Sequence, residues 1–99
     1  MGLVLREDGV KGDAEKPRYD LIPFNALEDV VAVLTYGAAK YAPDNWRHIR
    51  DGERRYLAAG LRHVSAYARG ELMDHESSQP HLAHAICCFM YILEGFADE

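Results

Sequence analysis

The sequence predicts an all-α fold, a small bundle of about three main helices completed by oligomerisation. Three observations carry this. Apolar residues recur at helical spacing in three segments. The breaks between those segments hold the Pro, Gly, Asn and Ser that end helices. The third segment is apolar nearly all round, and three short helices cannot cover one of their own number completely. No pair of segments alternates as strands would, and the chain holds no internal repeat or low-complexity tract.

Residues 1–15 carry charges, three glycines and little apolar pattern, so they read as a flexible N-terminal arm with a short extended piece at Gly2–Leu5. Residues 16–99 then form a single domain. In "KPRYDLIPFN", Pro17 and Pro23 push their predecessors out of the helical region. Pro23 can open a helix as its first residue. The first helix is predicted over Phe24–Tyr41, with Leu27, Val30, Val31, Leu34, Ala38 and Tyr41 as its stripe. Asp29, Tyr36 and Lys40 lie on another face.

"APDNWRHIRDG" breaks the period and reads as a loop. The second helix spans Glu53–Arg69, with Gly70 as its C′ residue. Its expected core stripe is Leu57, Leu61, Val64 and Ala68. Tyr56, Gly60, His63 and Tyr67 lie beside it. "ELMDHESSQ" is an acidic loop whose last residues suit a helix start. The third helix spans Pro80–Phe96. Its main stripe is Leu82, Ile86, Phe89, Leu93 and Phe96, with His81, His84, Ala85, Cys88, Tyr91 and Ile92 on the adjoining face. The remaining side, Ala83, Cys87, Met90 and Glu94, is hardly polar. Burial all round implies a dimer or tetramer in which this helix crosses the subunit boundary.

Composition narrows the function classes. A chain of 99 residues buries only about two thirds of its unfolded surface, which oligomerisation would relieve. The net charge of −5 argues against broad nucleic-acid binding through charge, so no stable nucleic-acid complex is expected. With no signal peptide and no long uncharged apolar run, a soluble cytoplasmic protein away from membranes is expected. Cys87 and Cys88 are adjacent, and no CxxC pair exists. A disulfide framework or structural zinc site is therefore not expected, and both read as small core residues.

Three sets of side chains carry chemistry. The first is basic and aromatic: Lys16, Arg18, Tyr36, Lys40, Tyr41, Asn45 and Trp46. Bases stack on Tyr or Trp at about 1–3 kcal/mol. Lys and Arg meet phosphates, and Asn reads a base edge. The bland alternative is aromatic packing beneath a loop with solvated charges. The second set is Arg62, His63, His81 and His84. His81 and His84, at i and i+3, share a helix face. Neutral imidazole binds zinc, manganese or iron, and imidazolium binds phosphate. Half-buried histidines bonded to backbone or tyrosine would have the same spacing. The third set is Glu71, Asp74 and Glu76, carboxylates suited to magnesium or manganese or simply to water. Their loop joins the helix of His63 to the helix of His81 and His84, so all three sets can converge.

The stretches "KPRYDLIPFNALEDVVAVLTYGAAKYAPDNW" and "LRHVSAYARGELMDHESSQPHLAHA" resemble the small helical domain named for dATP/dGTP diphosphohydrolases of phages and bacteria. The resemblance runs from about Glu15 to Glu94. It implies kinship with the all-α nucleoside triphosphate pyrophosphatases of the MazG kind, which cleave between the α- and β-phosphates with water and a magnesium or manganese cluster on helix carboxylates. By that pattern His81 and His84 stand where Glu and Asp are expected, and His63 sits near where the preceding helix would offer a glutamate. Imidazoles in place of hard oxygens disfavour magnesium. Two outcomes stay open: a more nitrogen-tolerant metal completed by Asp74 or Glu76, or histidines that hold phosphate directly.

The resemblance thus implies a metal-dependent purine (deoxy)nucleoside triphosphate pyrophosphohydrolase. His63, Asp74, His81 and His84 would surround the metal, with Glu71 or Glu76 as base and His63 in the catalytic group. Lys16, Arg18, Lys40 and Arg62 would take phosphates, and Tyr36, Tyr41, Asn45 and Trp46 would line the nucleoside site. The alternatives are a protein that sequesters a signalling nucleotide without turnover, and a helical scaffold.

Overall fold

The structure, a computed structural model, describes residues 9–96, so the expected extended piece at Gly2–Leu5 lies outside the described residues. Three α-helices follow in order: α1 (Phe24–Lys40), α2 (Gly52–Ala68) and α3 (His81–Glu94). Each lies within two residues of its expected bounds. Pro23 is the residue before α1, not its first, and accepts from Leu27 N–H through its carbonyl. Two short 3-10 turns, Tyr19–Leu21 and Asn45–His48, tighten segments that read only as loop. Among the described residues no helix is long and apolar enough to cross a membrane.

The end of α2 follows the expected chemistry. Gly70 has φ 102°, its N–H reaches Tyr67 O at 2.9 Å, and Glu71 N–H reaches Ala66 O at 3.0 Å. That is the double bond pattern of a Schellman motif, with Gly at the left-handed position. Residues 71–80 are more ordered than an acidic loop suggests. Met73 and Pro80 form an antiparallel bridge, and Asp74 N–H bonds Gln79 O at 2.8 Å. Ser78 bonds back to Asp74 O at 2.8 Å from a left-handed backbone, φ 62°. This small hairpin fixes Asp74, Glu76 and Ser77 beside the start of α3.

The helices meet through their small residues. A Cβ built on Gly60 would lie 2.5 Å from Phe89 Cε1, and one on Gly52 2.6 Å from Phe96 Cε1. Both distances are well inside van der Waals contact, so glycine at these positions lets α2 and α3 approach closely. The α1 helix lies against α3, and the core cluster is Val30, Val33, Ala83 and Cys87, with Leu34 and Tyr91 packed on it.

The inward faces correct the sequence reading. On α2 the buried positions are Gly52, Gly60 and Ala66, whereas the expected core residues Leu57, Leu61, Val64 and Ala68 are exposed. On α3 the inward side is His81, Ala83, Ala85, Cys87 and Cys88, while Leu82, Ile86, Phe89 and Leu93 are exposed. On α1, Val33 is buried and Val31 and Tyr41 are not. The reason is steric. Small side chains let helix axes come together and gain dispersion contacts along their length, so the glycine, alanine and cysteine faces pair first. The bulkier aliphatic stripes are left outside this chain.

Candidate functional site

A cavity of about 460 Å³ opens between α1, the Asn45–His48 turn, α2, the 71–80 hairpin and α3. That is within the range of small-molecule sites. One end is polar. His63 on α2 faces His81 and His84 on α3, with Asp74 arriving from the hairpin. His63 Nδ1 lies 2.9 Å from His81 Nδ1. The His63 and His84 rings stack with centroids 4.5 Å apart and planes 12° apart. One ligand atom from each of His63, Asp74 and His81 falls within 4.8 Å of the other two.

This donor set fits a divalent cation. The Nδ1–Nδ1 contact needs a proton between the two nitrogens, and an ion replaces that proton by binding both lone pairs. His81 is the buried polar side chain of the core, 6 % exposed. Its Nε2 has Glu71 Oε1 at 3.3 Å, yet the alignment is too poor for a hydrogen bond. A carboxylate behind an imidazole favours the tautomer with hydrogen on Nε2 and the lone pair on Nδ1. Glu71 also reaches His75 Nε2 at 2.9 Å.

Charge states suit metal binding. Burial pushes the His63 imidazolium below its ordinary value, and His84 and His81 nearby push the same way. Burial likewise lowers His84, against the pull of Asp74. For Asp74, burial works upward, but the backbone N–H and hydroxyl of Ser77 outweigh it and hold the carboxyl below its usual value. At neutral pH His63 and His84 are therefore neutral imidazoles beside an ionised carboxylate, the states that metal ligands require.

Beside these, Lys40 pairs with Glu76, whose carboxylate also accepts from Tyr36 Oη at 3.2 Å. Lys40 is stabilised as a cation chiefly by Glu76, and Glu76 is held ionised chiefly by Lys40. The cavity is also lined by aromatic side chains. Trp46 stacks on Tyr91 at 4.4 Å and meets Phe96 edge-on at 5.4 Å. Tyr56 meets Tyr91 edge-on at 5.0 Å, and the Arg47 guanidinium sits 4.5 Å from the Trp46 ring centroid.

Of the residues singled out in the sequence, Tyr36, Lys40, Tyr41, Asn45, Trp46, His63, Asp74, Glu76 and His84 line this cavity. Glu71 stands behind His81. Arg62 lines a neighbouring hollow with Tyr41 and Asn45. Lys16 and Arg18 do not reach the cavity; they line a separate hollow, where Arg18 pairs with Asp20 at 2.7 Å. Sequence reasoning missed Tyr56, Tyr91, Cys87 and Cys88 as cavity walls. It also missed Ser77, which read as part of a helix start. α3 has no side-chain cap, and Ser77 instead bonds Asp74 and His84. The thiols are inert cavity wall, for burial raises both and brings Cys88 to about 11.

Residues 6–99 match the family described as dATP/dGTP diphosphohydrolase, N-terminal. A dATP/dGTP diphosphohydrolase of Salmonella phage PMBT28 is 34% identical over 84 residues, covering 85% of this chain and 28% of the relative. The chain thus spans little more than a quarter of that relative's length. No solved structure matches. The chain belongs to the dATP/dGTP diphosphohydrolase N-terminal family.

Proposed function

We propose that this chain binds a purine deoxynucleoside triphosphate, dATP or dGTP, in the cavity and hydrolyses it to the monophosphate and pyrophosphate. The observation that carries the reading is the convergence of His63, His81 and Asp74, of which His63 and Asp74 line the same cavity as Trp46, Tyr56 and Tyr91. Phosphates and a cation suit the first group, and a flat base suits the second. His63, His81 and Asp74 hold a divalent ion, manganese or a more nitrogen-tolerant metal ahead of magnesium. When bound, such an ion polarises a phosphate oxygen and lowers the pKa of a water.

The chain's own groups do the rest. Glu71, behind His81, orients it as a ligand and so acts as a positioning residue instead of the base. Lys40 exchanges Glu76 for a phosphate oxygen of the substrate. His84, neutral at pH 7, accepts the proton of the attacking water. The water oxygen bonds to the α-phosphorus, the bridge to the β-phosphorus breaks, and pyrophosphate leaves. The aromatic wall and Asn45 hold the base away from water.

Incubation with each common nucleoside and deoxynucleoside triphosphate, with manganese or magnesium, tests this by chromatography of products. Monophosphate and pyrophosphate from dATP or dGTP are expected, and His81→Ala should abolish them. Undiminished turnover in that variant would remove the histidines from the mechanism. A second reading, nucleotide sequestration without turnover, draws on the His63–His81 contact, which is satisfied without any ion. Ligand retained and recovered intact with excess manganese would select it.

We further propose that copies of the chain associate through the outward stripe of Leu57, Leu61, Val64, Leu82, Ile86 and Phe89, as a dimer or tetramer in the cytoplasm. Among the described residues no large side chain is wholly buried in a single chain. A second copy would supply the missing apolar burial. Light scattering tests it, with Ile86→Glu expected to dissociate the assembly.

A further inference from the structure

The 71–80 hairpin contributes a group that neither family membership nor the metal cluster accounts for. Ser77 Oγ lies 2.8 Å from Asp74 Oδ2 and 2.6 Å from His84 Nε2, and it accepts Gln79 N–H at 3.2 Å. The same Asp74 oxygen receives the Ser77 backbone N–H at 2.9 Å. His84 Nε2 and Asp74 Oδ2 are themselves 3.7 Å apart, too far for a direct hydrogen bond. The hydroxyl therefore stands between the two.

A serine hydroxyl has one proton and two lone pairs. An ionised carboxylate has only lone pairs to offer, so at 2.8 Å from Asp74 Oδ2 the hydroxyl proton goes to Asp74. One lone pair is taken by Gln79 N–H. The other faces His84 Nε2 and can only accept. His84 Nε2 must then carry the hydrogen, which leaves the lone pair of this neutral ring on Nδ1. The reverse arrangement, with the hydroxyl donating to His84, would set an oxygen lone pair against the carboxylate at 2.8 Å.

We propose that Ser77 is a positioning residue that fixes the Nε2–H tautomer of His84 through an Asp74–Ser77–His84 relay, so that His84 acts through Nδ1. A direct carboxylate–histidine pair would use Asp74 up on His84. The interposed hydroxyl links Asp74 to His84 without a direct contact, and Asp74 still offers a carboxylate oxygen within 4.8 Å of ligand atoms of His63 and His81. One carboxylate thus serves both groups. The role of His84 as proton acceptor rests on the function proposed above, but the tautomer does not.

The test is nitrogen-detected NMR of the ¹⁵N-histidine-labelled protein, which separates protonated from unprotonated ring nitrogens, alongside kinetics of dATP and dGTP hydrolysis. In the native chain His84 should show a protonated Nε2 and a bare Nδ1. Ser77→Ala should mix the tautomers while the amide spectrum stays folded, and lower kcat about 10- to 100-fold with little change in KM, the usual cost of losing such a partner. Ser77→Thr, which keeps the hydroxyl, should restore both. A native His84 protonated on Nδ1, or a Ser77→Ala spectrum with the tautomer unchanged, would overturn the relay. The stated tautomer in a protein that hydrolyses no nucleotide would sink the enzyme reading and leave the relay standing.

Discussion

The same substitution should have opposite signs at two glycines. Gly37 and Gly60 both lie inside helices, where Ala is favoured over Gly by about 1 kcal/mol. A Cβ on Gly37 meets nothing within 4 Å, so Gly37→Ala should gain that amount. A Cβ on Gly60 meets Phe89 Cε1 at 2.5 Å and Cys88 Cβ at 3.2 Å. The Phe89 ring is partly exposed, at 37 %, and can turn aside. Cys88 Cβ is fixed to the backbone of α3 and can yield only if the helices part. Overpacking costs about 1–3 kcal/mol, so Gly60→Ala should lose roughly 0–2 kcal/mol after the helical gain. The variants then differ by about 1–3 kcal/mol, at about 4–8 °C of Tm per kcal/mol in a domain of this size. His63 follows Gly60 by three residues, so parting the helices also lengthens its reach to His81, and manganese binding should weaken in Gly60→Ala alone. Thermal melts of both variants and manganese titration decide it. Equal stabilisation of the two would show that α2 and α3 do not approach as closely as described.

Other expectations follow from the same geometry. His63 and His84 are lowered by burial, so between their folded values and about 6.5 the unfolded chain binds more protons. Their contribution to stability is complete above pH 6.5 and is lost as pH falls through the lowered values. The Tm should drop between pH 7 and pH 5 and do so less steeply in His63→Gln/His84→Gln; equal slopes would assign the pH dependence to other groups. Both thiols are raised by burial and should resist alkylation at pH 8 until the chain unfolds. Rapid labelling of Cys88 in the native protein would contradict the packing of α3. Lys40 and Glu76 are exposed, so Lys40→Met should leave Tm nearly unchanged while raising the KM for triphosphate severalfold; an unchanged KM would free Lys40 from phosphate binding.

Local chemistry was legible where it acts over a few residues. Pro23, the Ala42–Gly52 breaker and Gly70 mark helix ends through backbone sterics, which depend on neighbouring residues alone. The spacing of His81 and His84 put both on one face of α3, and the short acidic loop expected between α2 and α3 implied that His63 and the carboxylates could lie near them. Family motifs such as "PHLAHA" pointed to nucleotides before any fold was visible. These inferences hold because a helix of 3.6 residues per turn converts sequence spacing into direction.

What needed the tertiary structure was the choice among several apolar faces. Leucine stripes on α2 and α3 have the right period for a core, but the glycine, alanine and cysteine stripes beside them allow closer approach and win the intrachain contact. Periodicity reports that a face is apolar, not which of two adjacent faces meets which neighbour. The removal of Lys16 and Arg18 from the site, the stacking of Trp46 on Tyr91, and the placing of Ser77 between Asp74 and His84 share that origin. Each depends on how segments distant in sequence, or folded back in a hairpin, lie in space. The three-helix architecture and its polar residue types were therefore set by the sequence read locally, whereas the identity of the site's walls and the direction of its proton were decided by packing, because close approach depends on the shapes of both partners at once.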